Sequence, residues 1–138
     1  MRYYLDTNTL VFILYRKQND LHLSVRKIIE SPTNQFFVSS VVVKEILLLY
    51  RIGKLNTKLY KKEADLLDAI KKFDIKIILF SEQNLKQYTS LSIADGHKDM
   101  NDHAIIAQSI SDRIPLISSD TKFNEYTKQG LSFVYNKR

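Results

Sequence analysis

Short apolar runs of the length of buried strands occur at Arg2–Leu5, Phe36–Val38, Ile75–Phe80, Ile114–Ile117 and Leu131–Tyr135. Between them apolar residues recur at helical spacing. This predicts helices over Thr9–Arg16, Leu21–Glu30, Val41–Ile52, Thr57–Phe73, Glu82–Ser92 and Asn101–Ser111, with a short one near Lys122–Lys128. Strands alternating with helices of this length need crossover connections, which build a mainly parallel sheet covered on both faces. The expected fold class is therefore α/β, with a central five-stranded sheet. Three glycines and two prolines in 138 residues, with no internal repeat or linker-like stretch, leave no place to divide the chain. One compact domain over residues 1–138 is expected.

In parallel α/β sheets the functional crevice lies beyond the carboxyl ends of the strands. Asp6 closes the first strand and Asp120 comes just after IPLIS, so both acids share one rim if those strands run parallel. Either could instead be a turn or N-cap residue. Glu45 has Val41, Leu48, Leu49 and Ile52 as helical neighbours, which places a glutamate inside an apolar stripe. An ionised carboxylate buried without a partner costs several kcal/mol, so it needs a metal, a cation or hydrogen-bond donors. An internal ion pair would also satisfy it. Asp102 shares a helix face with Ile105 and Ile106. Here Asp99 could be the N-cap and Asp102 the third helical residue, which stabilises a helix start without any catalysis.

Composition narrows the chemistry. The absence of cysteine excludes disulfides and thiolate zinc sites, and three scattered histidines, His22, His97 and His103, make a poor imidazole site. A metal is then expected on oxygen ligands. Carboxylates converging from separate elements repel one another unless a divalent cation neutralises them, and an all-oxygen set suits Mg²⁺, with Mn²⁺ as a substitute. The net charge of +6 points toward a polyanion such as nucleic acid. The lysine-rich segment Thr57–Phe73 reads as a solvated outer face. No apolar run reaches the roughly 18 to 20 residues that span a bilayer, and MRYYLDTN alternates like a strand, so a cytoplasmic location is expected.

Four stretches carry a family resemblance: YLDTNTL at 4–10, FFVSSVVVKEIL at 36–47, HKDMNDHAIIAQS at 97–109 and IPLISSDTKF at 114–123. In order and spacing they resemble the PIN-domain family, and within it the VapC-type toxins of toxin–antitoxin pairs. The resemblance implies that Asp6, Glu45, Asp102 and Asp120 are the catalytic acids. Asp6, Asp102 and Asp120 would hold the metal, with Asp99 able to share it, while Asn8 and Ser118 would order the site. Members often carry Pro-Phe between the acids of the third motif and Arg after the second. This chain has Met100-Asn101 and His103 there, which keeps Asp99 open beside Asp102.

The implied activity is Mg²⁺-dependent endoribonuclease hydrolysis by a metal-activated water, leaving 5′-phosphate and 3′-hydroxyl ends. Implied partners are RNA, a VapB-like antitoxin and a second copy of the chain. Lys44, Arg51 and Lys54 are candidate phosphate contacts, and Tyr15 and Tyr50 candidate base-stacking groups. Leu10, Phe12, Leu14, Leu47 and Tyr50 are candidate protein contacts, although core packing accounts for them equally well. A catalytically silent PIN-like RNA-binding domain is the competing reading. An aspartyl-nucleophile phosphatase wants a second acid two residues after the first, where this chain has Asn8.

Overall fold

A computed structural model describes residues 1–138. Strands β1 (Arg2–Leu5), β2 (Gln35–Ser39), β3 (Ile75–Ile78), β4 (Leu116–Ser118) and β5 (Phe133–Tyr135) form one sheet. Its order is β3-β2-β1-β4-β5, and every pairing is parallel. The connections are α1 (Thr7–Leu14), α2 (Leu23–Glu30), α3 (Ser40–Arg51), α4 (Glu63–Lys72), α5 (Glu82–Thr89) and α6 (Met100–Asp112), with 3₁₀ segments at Gln18–Asp20 and Thr121–Gln129. From β1 the chain steps outward through β2 to β3, then returns past them to β4 on the other side of β1. Right-handed crossovers therefore place the helices before β3 on one face and α5 and α6 on the other. The reversal falls between β1 and β4, and this is where open α/β sheets bind ligands.

The expected boundaries shift for local reasons. Pro115 has no N–H for a ladder, so it contributes only its carbonyl, which accepts from Tyr4 N–H at 2.7 Å, and β4 begins at Leu116 instead of Ile114. At the far edge β3 stops at Ile78. Leu79 is 74% exposed, and Phe80 N–H leaves the sheet to donate to Ser40 Oγ at 2.9 Å. The helix expected from Thr57 starts only at Glu63, because Asp65 accepts from the Lys61 and Lys62 N–H groups and closes the helix start there. The segment expected as a short helix near Lys122–Lys128 is 3₁₀.

A cluster of 28 buried apolar residues fills the interior. Every residue of α1 from Thr9 to Leu14 is buried, the mark of a helix enclosed on all sides. Leu10, Phe12 and Leu14 are thus core residues, which removes them as partner contacts. Along α3 the core-facing residues are Val42, Val43 and Ile46, while Leu48 and Ile52 are 50% and 57% exposed. The stripe read around Glu45 is therefore not the buried one.

At the end of α6, Arg113 adopts φ +56° as the left-handed cap. A side chain with a Cβ is disfavoured there by about 1 kcal/mol relative to glycine. Arg113→Gly is expected to raise the unfolding free energy by an amount approaching that, seen as a higher urea midpoint; a lower midpoint would contradict the assignment of strain.

Candidate active site

Because β1 and β4 pair in parallel with Leu5 opposite Ile117, the residues that follow them emerge on one rim. Asp6 is buried and caps α1, its Oδ1 accepting from Thr9 N–H at 2.9 Å, while its own N–H donates to the Ile117 carbonyl at 3.2 Å. Asp120 caps the 3₁₀ segment, accepting from Lys122 N–H at 2.9 Å, and its N–H donates to Ser118 Oγ at 3.1 Å. Capping uses only one oxygen of each carboxylate. Capping and a place in the crevice, which the sequence presented as alternatives, coexist.

Glu45 lies half-buried on α3 and makes no ion pair. Instead Thr7 Oγ1 donates to its Oε1 and Asn101 Nδ2 donates to its Oε2 at 3.1 Å. On α6, Asp99 is the N-cap: one oxygen accepts from the Asn101 and Asp102 N–H groups at 2.9 and 3.2 Å. Asp102 is the third helical residue, on the same side as the buried Ile105 and Ile106. These residues meet in a cavity of about 270 Å³ lined by Asp6, Thr7, Asn8, Glu45, Leu49, Asp99, Asp102 and Asp120. Five of the lining residues are acids, and none is Lys or Arg.

The electrostatics follow. Burial, then the charges of Asp99, Asp6, Asp120 and Glu45, push the Asp102 carboxyl up to about 8. Burial also raises Asp6, opposed by hydrogen bonds from Ser118 and Thr9 and reinforced by Asp120. Five carboxylates line the cavity with no protein cation among them, and two of them, Asp102 and Asp120, bring oxygens within 4.8 Å of each other, close enough for one divalent ion, whose charge would reverse these shifts.

Sequence reasoning missed three polar neighbours. Thr7 and Asn101 hold Glu45, and His97 sits against Asp102 with Nε2 3.1 Å from Oδ2. The expectation that the histidines are scattered needs correcting: ligand atoms of His97, Asp102 and Asp120 lie within 4.8 Å of one another. His97 comes from the turn before α6, where helical phase gives no warning. Burial lowers its pKa, which favours the neutral ring. Of the residues expected to order the site, Ser118 is fully buried and accepts the Asp120 N–H, whereas Asn8 is exposed and lines the cavity.

The expected RNA contacts separate. Lys44 and Lys54 are exposed, but Arg51 is forked onto Glu63 at 2.8 and 2.9 Å. Tyr15 donates to the Asn56 carbonyl at 3.0 Å and Tyr50 to the Tyr60 carbonyl at 2.7 Å. Both hydroxyls tie down the segment before α4, so packing, not base stacking, explains these rings.

The family model for the PIN domain matches residues 3–129. The chain belongs to the PIN domain family. Its fold is similar to solved structures that cover nearly the whole PIN domain at low identity. One is VapBC2 from Rickettsia felis bound to a DNA fragment from its promoter, with TM-score 0.67, 21% identity and coverage of 99% of this chain and 100% of that one. Another is DNA-bound VapBC from Salmonella typhimurium, with TM-score 0.69, 16% identity and 98% coverage of both chains. VapBC-5 from Mycobacterium tuberculosis gives TM-score 0.64 and 16% identity over 99% and 98% of the two chains. No curated protein sequence matches. No helix of this PIN domain is long and apolar enough to cross a membrane.

Proposed function

We propose that the chain, as a single PIN domain over residues 1–138, is the endoribonuclease toxin of a toxin–antitoxin pair and hydrolyses RNA with Mg²⁺ or Mn²⁺. The observation that carries this reading is the cavity at the β1–β4 switch point, with five carboxylates and no basic residue in its wall. A pocket of that sign repels a phosphodiester unless a cation sits in it.

In this reading Asp6, Asp102 and Asp120 hold the cation, and Asp99 caps α6 and adds its charge. When bound, the cation lowers the pKa of a water and offsets the charge that builds on the phosphate. Glu45, both oxygens fixed by Thr7 and Asn101, is placed to take a proton from the attacking water. Ser118 accepts the Asp120 N–H, and its hydroxyl favours the ionised Asp6, so one buried side chain serves both acids. Exposed Lys44 and Lys54 supply phosphate contacts, and unpaired RNA is the favoured substrate because its bases can be splayed open.

The solved VapBC complexes support a VapB-like antitoxin as partner. On α3, exposed Leu48 and Ile52 lie on the helix that bears Glu45 and suit such a contact or a second copy of the chain. The cytoplasm is the proposed location. A silent RNA-binding domain has no use for five mutually repelling acids, which favours the catalytic reading.

The test is expression of the chain with and without the adjacent gene, followed by mapping of new RNA 5′ ends. Discrete 5′-phosphate ends, suppressed by the neighbouring gene product, are expected. Growth arrest without new ends would favour the binding reading.

A further inference from the structure

Behind the cavity wall, against Asp102, lies one buried polar group that the proposed chemistry leaves without a task. His97 is 3% exposed, and its two ring nitrogens face different partners. Nδ1 lies 2.7 Å from Tyr126 Oη, and Nε2 lies 3.1 Å from Asp102 Oδ2. The ring is closed in edge to face by His103, with centroids 4.7 Å apart, and His103 Nε2 donates to the His97 carbonyl at 2.8 Å.

The hydrogen-bond chain fixes where the imidazole proton sits. Tyr126 is fully buried, and its oxygen already accepts the Ala94 N–H at 3.0 Å. A buried hydroxyl needs an acceptor for its own proton, and Nδ1 is the acceptor within reach. Nδ1 is therefore unprotonated, and the ring proton sits on Nε2, facing the carboxylate. An Nε2 that bound a metal would need the proton on Nδ1. Two donors would then converge on the Tyr126 oxygen, and the hydroxyl proton would be stranded.

We propose that His97 is a positioning residue: its Nε2–H holds Oδ2 of Asp102 and leaves Oδ1 for the cation. This rests on the reading of the acidic cavity as a divalent-cation site. Although its nitrogen lies within ligating distance of the Asp102 and Asp120 oxygens, His97 stays outside the coordination sphere. The ligand set is then all oxygen and suits Mg²⁺, not a nitrogen-seeking metal such as Zn²⁺. Tyr126 in turn selects the tautomer, as the outer partners of metal-site histidines do elsewhere.

The experiment is a Mn²⁺ titration of the full chain by electron paramagnetic resonance, comparing the wild type with His97→Leu and His97→Gln. Leucine removes the donor at similar bulk, and glutamine restores an N–H. Affinity is expected to fall at least about tenfold in His97→Leu and to recover most of that loss in His97→Gln, with no histidine ¹⁴N coupling to bound Mn²⁺ in the wild type. Unchanged affinity in a folded His97→Leu, or a histidine ¹⁴N coupling, would overturn the proposal.

Should His97→Leu fail to fold, long-range ¹H–¹⁵N spectra of the wild type read the tautomer directly. The proton is expected on Nε2, and finding it on Nδ1 would overturn the assignment. A wild type that binds no Mn²⁺ at all would instead refute the cation site itself, and this inference with it.

Discussion

Asp6→Asn and Glu45→Gln are each expected to lower RNA cleavage by a factor of about 10² or more while the protein stays folded. Asparagine at position 6 keeps an oxygen for the Thr9 N–H, so the start of α1 survives and only the charge facing the cavity is lost. Glutamine at position 45 can accept from Thr7 or Asn101 but not from both, since one of its terminal atoms is now a donor. A lost hydrogen bond costs about 1 kcal/mol, too little to unfold the domain. Single-turnover cleavage with a thermal melt of each variant checks this. A folded variant that cuts at the wild-type rate would remove that acid from the mechanism.

Asp102→Asn is expected to make the metal-free protein more stable and the metal-loaded comparison worse. The Asp102 carboxyl titrates at about 8 in the folded chain against an ordinary value of 3.8. The folded state therefore binds the extra proton between those values, and stability falls as pH rises through that window. At pH 8 in chelator the substitution should raise the melting point, because asparagine relieves the burial of charge and still accepts from His97. Mg²⁺ acts against that ranking. Saturation at a hundred times the dissociation constant adds about 2.7 kcal/mol to the wild type and little to the variant. Melting curves at pH 5 and pH 8, with and without Mg²⁺, read all four states. A wild type whose melting point is the same at both pH values in chelator would contradict the crowding of charge.

Much of this was readable from the sequence, although not always for the right reason. Asp6 and Asp120 stand at the ends of strands whose apolar runs are unmistakable, and parallel pairing alone then brings them together. Glu45 does line the cavity, but the energetic ground for choosing it was mistaken. Leu48 and Ile52 of its stripe are exposed, and α3 buries Val42, Val43 and Ile46. Helical spacing identifies a stripe without saying which of two apolar faces meets the core. At Asp99 and Asp102 the spacing was informative: the cap and the third helical residue are where the alternative reading put them, and both also line the cavity.

What the sequence could not show depends on tertiary contact. Arg51 finds Glu63 across a turn, which withdraws it from the basic surface. His97 reaches Asp102 from a loop whose path is set by Tyr126, a residue 29 positions away in the chain. No periodicity encodes either pairing. The length of α4 was overestimated for a similar reason, since the Tyr60 hydroxyl is drawn to the Leu14 carbonyl at 2.5 Å and holds that stretch outside the helix.

The most direct test of the acidic cavity as a metal-dependent RNA-cutting site is cleavage of a single-stranded RNA by the purified chain in Mg²⁺, in EDTA and after Mg²⁺ is restored. Cleavage that stops in EDTA, returns with Mg²⁺ and leaves 5′-phosphate ends is the predicted result; cleavage that persists in EDTA, or that leaves 5′-hydroxyl ends, would contradict it.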